Sequence, residues 1–329
     1  VSTASANVAP AILAWASRIT ELSPMLPGLR SDDLRQRRAA ERHLSDALAL
    51  EFCDPPAPGV AIVDDAVRTE TGTLTVRRYL PDDLPESAPT EVFLHGGGFI
   101  SGSVHEIIND RLLTTRARIA QIQVISLDYR LAPEHRYPAA VDDAVATIDV
   151  LRREPRRFGV DASRIGIAGA SAGAGIAASA ALCLRDRGDA FLVHQSLQVP
   201  AVALEPFGPS SLEFAEGFGL DGYAQLRALY LTDDHELSTT HAQPVFAADL
   251  SGLPPTFIQV AEFDPLRDAG IAYGERLRDA GVPTVIQIGT GHVHGSPGLT
   301  ATFPPARAWQ RRSATTARLA YHPRADHSA

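Results

Sequence analysis

With 329 residues, 45% of them hydrophobic, the chain can bury one large α/β core or two smaller ones. Its 39 acidic residues against 30 basic ones, a net charge of −9, argue against nucleic acid as a partner, because phosphates call for a basic surface. All 30 basic residues are arginine, which excludes a Walker-A lysine, a lysine Schiff base and a Ser-x-x-Lys dyad.

Residues 1–48 read as a helical segment. Val8, Ile12, Ala16 and Ile19 share one face, with Leu22 at its edge, so the first helix has something to cover. The apolar stretch Val8–Ala16 is too short to span a bilayer and no basic residue precedes it, so neither stable membrane insertion nor a secretory signal is expected. Arg35-Gln36-Arg37-Arg38 reads as a solvated helix face. A Pro-rich break, Asp54-Pro55-Pro56-Ala57-Pro58-Gly59, sets the helical segment apart from the main domain, taken as residues 49–329.

Two hairpin strands follow, Val60 to Val67 and Thr73 to Tyr79, joined through Glu70-Thr71-Gly72. Strand patterns near 91–94, 122–127, 164–168, 191–199, 255–261 and 284–289 then alternate with helical ones. This alternation predicts an α/β fold with a largely parallel sheet covered on both faces. The rhythm breaks at about 205–235, where Ser210-Ser211-Leu212-Glu213 offers a capping box and Tyr223, Leu226 and Tyr230 share a face, which predicts inserted helices. The tail after His322 is polar and expected to be loose. Cys53 and Cys183 are widely separated, apolar in surroundings and without metal-type spacing; they read as buried thiols in a reducing, cytoplasmic setting.

Two glycine-rich motifs carry chemistry. Gly169-Ala170-Ser171-Ala172-Gly173 follows a short apolar strand and opens a helix of small residues, the setting of a strained turn that holds a serine hydroxyl beside free backbone N–H groups. His95-Gly96-Gly97-Gly98 follows another apolar strand and supplies bare N–H donors for a tetrahedral oxyanion. An activated serine needs a base and an orienting carboxylate further along the chain. His294, just past the last strand and next to Gly295, fits the base. After the apolar run Phe257–Val260, spacing leaves Asp264, Glu262 and Asp268 open as the acid, Asp264 also fitting a plain helix N-cap before Pro265. Two weaker patterns compete with this reading. His292 and His294 lie two apart and can face one side toward a metal, but no further ligands stand at recognised spacing. Gly173-Ala174-Gly175-Ile176-Ala177-Ala178 satisfies a dinucleotide pattern, but it lies mid-chain and lacks the acid expected near Gln198.

The ordered set His95–Ser103, Asp128-Tyr129-Arg130-Leu131-Ala132-Pro133-Glu134, Gly169–Gly173, Asp264-Pro265-Leu266-Arg267-Asp268 and His294-Gly295 resembles the hormone-sensitive-lipase branch of the α/β-hydrolases, and most of all bacterial esterases of the heroin-esterase type. The resemblance spans about residues 90–295. It implies Ser171 as nucleophile, His294 as general base and Asp264 as its partner, with the N–H groups of Gly97, Gly98 and Ala172 as oxyanion hole. It further implies a helical cap built from residues 1–48 and the insertion, and scaffold roles for His95, Arg130 and Glu134. Ser296 departs from the Phe common in the family and His292 sits two before the base, so both can alter the acyl or alcohol pocket. The implied activity is hydrolysis of short-chain or aryl carboxylic esters through an acyl-enzyme, without metal or organic cofactor. The partners expected are a small ester substrate and, at most, a second copy of the chain as a homodimer. Activated amides or thioesters, or a non-catalytic binding module on the same fold, are the alternatives.

Overall fold

The computed structural model describes residues 8–216, 223–233, 235–236, 239 and 241–323; the end of the polar tail and the middle of the expected insertion lie outside them. Eight strands form one sheet: β1 (Val60–Thr69), β2 (Gly72–Pro81), β3 (Ala88–Leu94), β4 (Gln123–Leu127), β5 (Val160–Ala170), β6 (Gln195–Gln198), β7 (Thr256–Phe263) and β8 (Thr284–Val293). Their order is β1-β2-β4-β3-β5-β6-β7-β8. The β1–β2 hairpin pairs Val60 with Pro81 through Thr69 with Gly72, and β2 also runs antiparallel to β4, whereas every pair from β4 to β8 is parallel.

The helices are α1 (Pro10–Leu22), α2 (Leu34–Phe52), α3 (Ile107–Ala120), α4 (Ala139–Arg153), α5 (Pro155–Phe158), α6 (Ala172–Asp186), α7 (Ser210–Glu213), α8 (Tyr223–Tyr230), α9 (Arg267–Asp279) and α10 (Pro304–Tyr321). Strand β3 shows why the sheet reads as continuous apolar runs. All its residues are buried because side chains alternate between two covered faces. Val92 and Leu94 join the core with Ile148 of α4, Ile176 of α6 and Tyr273 of α9; Phe93 joins Leu113 of α3 and Ala317 of α10 on the other side. Truncating a fully buried residue such as Ile148 to Ala is expected to cost about 2–5 kcal/mol. One ion pair is buried in this second layer, Arg116 Nε to Glu91 Oε1 at 2.5 Å, with Arg116 Nη1 also donating to Ser313 Oγ at 2.6 Å. It ties β3 to α3 and α10.

Strand β6 is shorter than the apolar run 191–199 suggests. Pairing with β5 begins only at Gln195, and Phe191 N instead donates to Asp189 O within a turn. Strand β8 is longer than expected and reaches Val293 through an irregularity in its pairing with β7, which delivers the following residue to the sheet's C-terminal edge.

Helices α1 and α2 lie over that edge. Helix α1 starts at Pro10, and α2 is capped by Asp33, whose carboxylate accepts from Arg35 N. Ile12, Leu48 and Phe52 pack against Val293, Leu299 and Phe303. Helix α2 runs four residues past the expected limit at 48, and its end is tied down by Cys53 Sγ donating to Gly298 O at 2.7 Å and Ala301 N donating to Phe52 O at 2.9 Å. In the insertion, Tyr230 of α8 stacks on Phe99 with ring centroids 4.0 Å apart. The expected capping box at Ser210 does not form. Ser210 Oγ accepts from Asp268 N and donates to Pro265 O, so the side chain is taken by α9 and not by its own helix.

Candidate active site

Ser171 sits between the end of β5 and the start of α6 with φ 54° and ψ −120°, a backbone conformation an L-residue adopts only when its surroundings impose it. Here they do. Ser171 N donates to Gln198 O at 2.9 Å, and Ser171 O accepts from Ala174, Gly175 and Ala201 N–H groups. A Cβ at Gly173 would lie 2.2 Å from Leu94 O and 2.3 Å from His95 O, so only glycine lets α6 start this close to β3.

His294 follows β8 directly. Its Nε2 lies 2.8 Å from Ser171 Oγ, and its Nδ1 lies 2.8 Å from Asp264 Oδ2. An ionised carboxylate only accepts, so Nδ1 carries the proton and the Nε2 lone pair faces the serine hydroxyl. Asp264 is fully buried, and its other oxygen accepts from Leu266 N at 2.8 Å. The two other carboxylates left open by spacing are engaged elsewhere. Glu262 accepts from Gly291 N at 2.7 Å and so braces the turn before His294; Asp268 bonds Ser210 N at 2.8 Å and Arg267 Nε at 2.9 Å.

The glycine loop faces the serine. Gly97, at φ 126°, accepts from Ile100 and Ser101 N–H groups, and a Cβ there would fall 2.0 Å from Ser101 O. No carbonyl of the described residues accepts from the N–H groups of Gly97, Gly98 or Ala172, which leaves all three available to an oxyanion. His95 supports the loop: it is buried, stacks on Tyr129 with centroids 4.3 Å apart, and donates from Nδ1 to Gly96 O at 2.7 Å. Burial lowers its pKa and keeps it neutral. Arg130 pairs with the buried Asp143 at 2.7 Å. Glu134 meets Arg38 of α2, which also donates to Ile100 O at 2.6 Å and Ala132 O at 2.7 Å. Arg38 is therefore a clamp and not part of a solvated face; its partners lie more than sixty residues away in sequence, which hides it from any local pattern.

A cavity of about 490 Å³ opens over Ser171 and His294, walled by Leu226 of α8, Ile108 of α3, and Glu41 and Ser45 of α2. These wall residues carry no motif; among them only Leu226 is anticipated by the sequence, through the face it shares with Tyr223 and Tyr230. His292 and Ser296 do not line the cavity. His292 Nδ1 lies 2.8 Å from Ser296 Oγ, and its ring is wedged between Phe303 and Trp309, where burial pushes its pKa down to about 4. The pair shapes the turn behind His294, so these departures reach the pocket only through that turn. Cys53 and Cys183 are free thiols outside any disulfide, Cys53 buried as expected but Cys183 only half-buried, and burial pushes Cys53 up to about 12. Among the described residues, no group of three or more His, Cys, Asp or Glu side chains could hold a metal ion, and no helix is long and apolar enough to cross a membrane.

Comparison with known proteins agrees with the fold. Residues 91–297 match the family described as the alpha/beta hydrolase fold. The chain is 37% identical over 273 residues to Esterase LipI of Mycobacterium tuberculosis, covering 82% of this chain and 85% of that protein. It is 35% identical over 240 residues to an arylesterase of Saccharolobus solfataricus, covering 71% and 77% of the two chains. Among solved structures, the hyperthermophilic esterase of Pyrobaculum calidifontis superposes with a TM-score of 0.84 at 32% identity, covering 94% of this chain and 98% of that one.

Proposed function

The chain belongs to the α/β-hydrolase family, in its hormone-sensitive-lipase-like branch, and from that premise we propose that it is a serine carboxylesterase with Ser171 as nucleophile, His294 as general base and Asp264 as its partner. The observation that carries the residue roles is the continuous series of bonds from Asp264 through His294 to Ser171, ending beside three free N–H groups. His294 Nε2 takes the Ser171 proton as Oγ attacks the ester carbonyl carbon. The carbonyl oxygen becomes an oxyanion held by Gly97, Gly98 and Ala172 N–H, where each donor is worth about 10²–10³ in rate. Asp264 stabilises the imidazolium, which then protonates the leaving alcohol oxygen. Water, deprotonated by His294, attacks the acyl-serine carbonyl, and the imidazolium returns the proton to Ser171 Oγ as that bond breaks and the acid leaves.

Helices α1, α2 and α8 act in this reading as a cap, supported by their place over the C-terminal edge of the sheet. Short-chain and aryl esters are the substrate class, supported by the size of the cavity and by the arylesterase among the relatives; turnover of emulsified triolein above that of butyrate esters would overturn it. A cytoplasmic location is supported by the two separate, unbonded thiols. A homodimer is supported by Val285 and Ile288, each about half exposed on edge strand β8. The central test combines a chromogenic butyrate ester with an organophosphonate label. Hydrolysis is expected, with the label on Ser171 alone; a label on another serine would discard the residue roles even if esters are cleaved.

A further inference from the structure

The cavity over Ser171 holds two carboxylates that acyl transfer does not use. Glu41 projects from α2, and Glu106 immediately precedes α3. Oε2 of Glu41 is buried and finds no hydrogen-bond partner among the described residues. Glu106 accepts one bond, from Ser45 Oγ at 3.2 Å. The neighbouring arginines are committed elsewhere: Arg37 to Ser31 O, Arg38 to Glu134 and two carbonyls, and Arg42 to Asp46 and His105 O.

Each carboxylate is half-buried in the cavity wall with no cation beside it and only a hydroxyl as side-chain partner, Ser45 for Glu106 and Ser101 for Glu41, so it favours a proton or a cation. Burial raises both groups, Glu106 to about 7, against the opposing pull of Ser45 and Arg42 on Glu106 and of Ser101, Arg37 and Arg38 on Glu41; Asp46 and Glu41 add to the rise at Glu106. An apolar ester alone would be served as well by alanine or leucine at these positions. We propose that Glu41 and Glu106 form a cation subsite within the catalytic cavity, which makes esters bearing an ammonium group better substrates than their uncharged counterparts. The inference rests on the esterase reading of that cavity.

Butyrylcholine and its carbon analogue, with tert-butyl in place of trimethylammonium, place the charge on the alcohol. The phenyl ester of trimethylammonio-butanoate and its tert-butyl analogue place it on the acyl chain. At about pH 8 one of the two pairs is expected to show a kcat/KM ratio of cationic to neutral ester of at least about tenfold, and Glu41→Gln and Glu106→Gln are each expected to lower that ratio at least about threefold. A ratio near one in both pairs, or a ratio that survives both substitutions, overturns the subsite while leaving the esterase intact. Failure to turn over any ester would instead strike the esterase reading. The subsite is then decided by calorimetry of the same four esters on Ser171→Ala: tighter binding of a cationic ester, weakened by adding Glu41→Gln or Glu106→Gln, sustains it, and equal binding within both pairs rejects it.

Discussion

The floor of the site, at the C-terminal edge of the sheet, and its roof of helices α1, α2 and α8 are built under different constraints. On the floor the limits are backbone: an added methyl at Gly173 strikes the carbonyl oxygens of Leu94, the last residue of central strand β3, and of His95 directly after it. On the roof they are side-chain ends. Gly98, at φ 61°, is itself held by its backbone, but the nearest atoms a methyl there would meet are the ends of Leu226 on the roof, at 3.2 Å. The floor thus holds reacting atoms to within tenths of an ångström, as bond-making demands, while the roof can repack by rotamer changes.

The contrast breaks most sharply at the nucleophile. Ser171→Ala and His294→Ala are each expected to lower kcat by about 10⁴–10⁶, and the double variant to be barely worse than either, because the two act as a unit; additive losses in single-turnover kinetics would contradict this. Asp264→Asn is expected to cost about 10⁴ in kcat, whereas Asp268→Asn, which disturbs the contact between α9 and α7 and the pair with Arg267, should stay within about tenfold of the parent. If Asp268→Asn proves the more damaging in a folded protein, the floor has been drawn around the wrong acid. For the roof, Leu226→Ala should change the preference between hexanoate and acetate esters by about three- to thirtyfold, through lost contact area. A loss of kcat on the scale of the Asp264 variant would place Leu226 in the floor.

The smallest expected effect concerns stability below the site. His292 has a folded-state pKa near 4 against about 6.5 in the unfolded chain, so the unfolded state binds the proton first as pH falls. Its contribution is present above about 6.5 and is lost toward 4, at about 1.4 kcal/mol per pH unit. Buried His194 behaves alike, and Glu106, raised to about 7, works in the opposite sense. Only the difference between the parent and His292→Gln isolates the one residue. Urea denaturation from pH 7 to 4.5 should show a shallower acid loss in the variant; parallel curves would mean that His292 is not held neutral.

The same division decided what the sequence disclosed. Floor motifs could be read because backbone crowding restricts residue type locally, as at Gly97, Ser171 and Gly173. Asp264 was separable from Glu262 and Asp268 only through family resemblance, since one turn of chain presents three carboxylates and their partners, His294, Gly291 and Ser210, come from elsewhere. Ser210 looked like a helix cap and Arg38 like a solvated charge for the same reason. Strand β6 was overextended because Phe191-Leu192-Val193 is apolar enough for a strand yet stands before the ladder with β5, Val193 giving it a single bond to Ile165 O.

Helix α2 resembles a beam resting on two supports. Arg38 fastens one end to Ile100, Ala132 and Glu134, and Phe52 with Cys53 fastens the other to Gly298 and Ala301. Positions 41 and 45, which line the cavity, lie between the supports, where Arg42 to His105 O, Ser45 to Glu106 and Ile107 N to Asp46 add further ties. Glu41 takes part in none of these ties and can be exchanged without shifting the beam, so substrate choice can drift through substitution there while the fold is kept. Position 38 has no such freedom, because lysine cannot reproduce a planar fork serving two carbonyls and a carboxylate. Evolutionary latitude in this roof is therefore a property of span, set by where the helix is fastened.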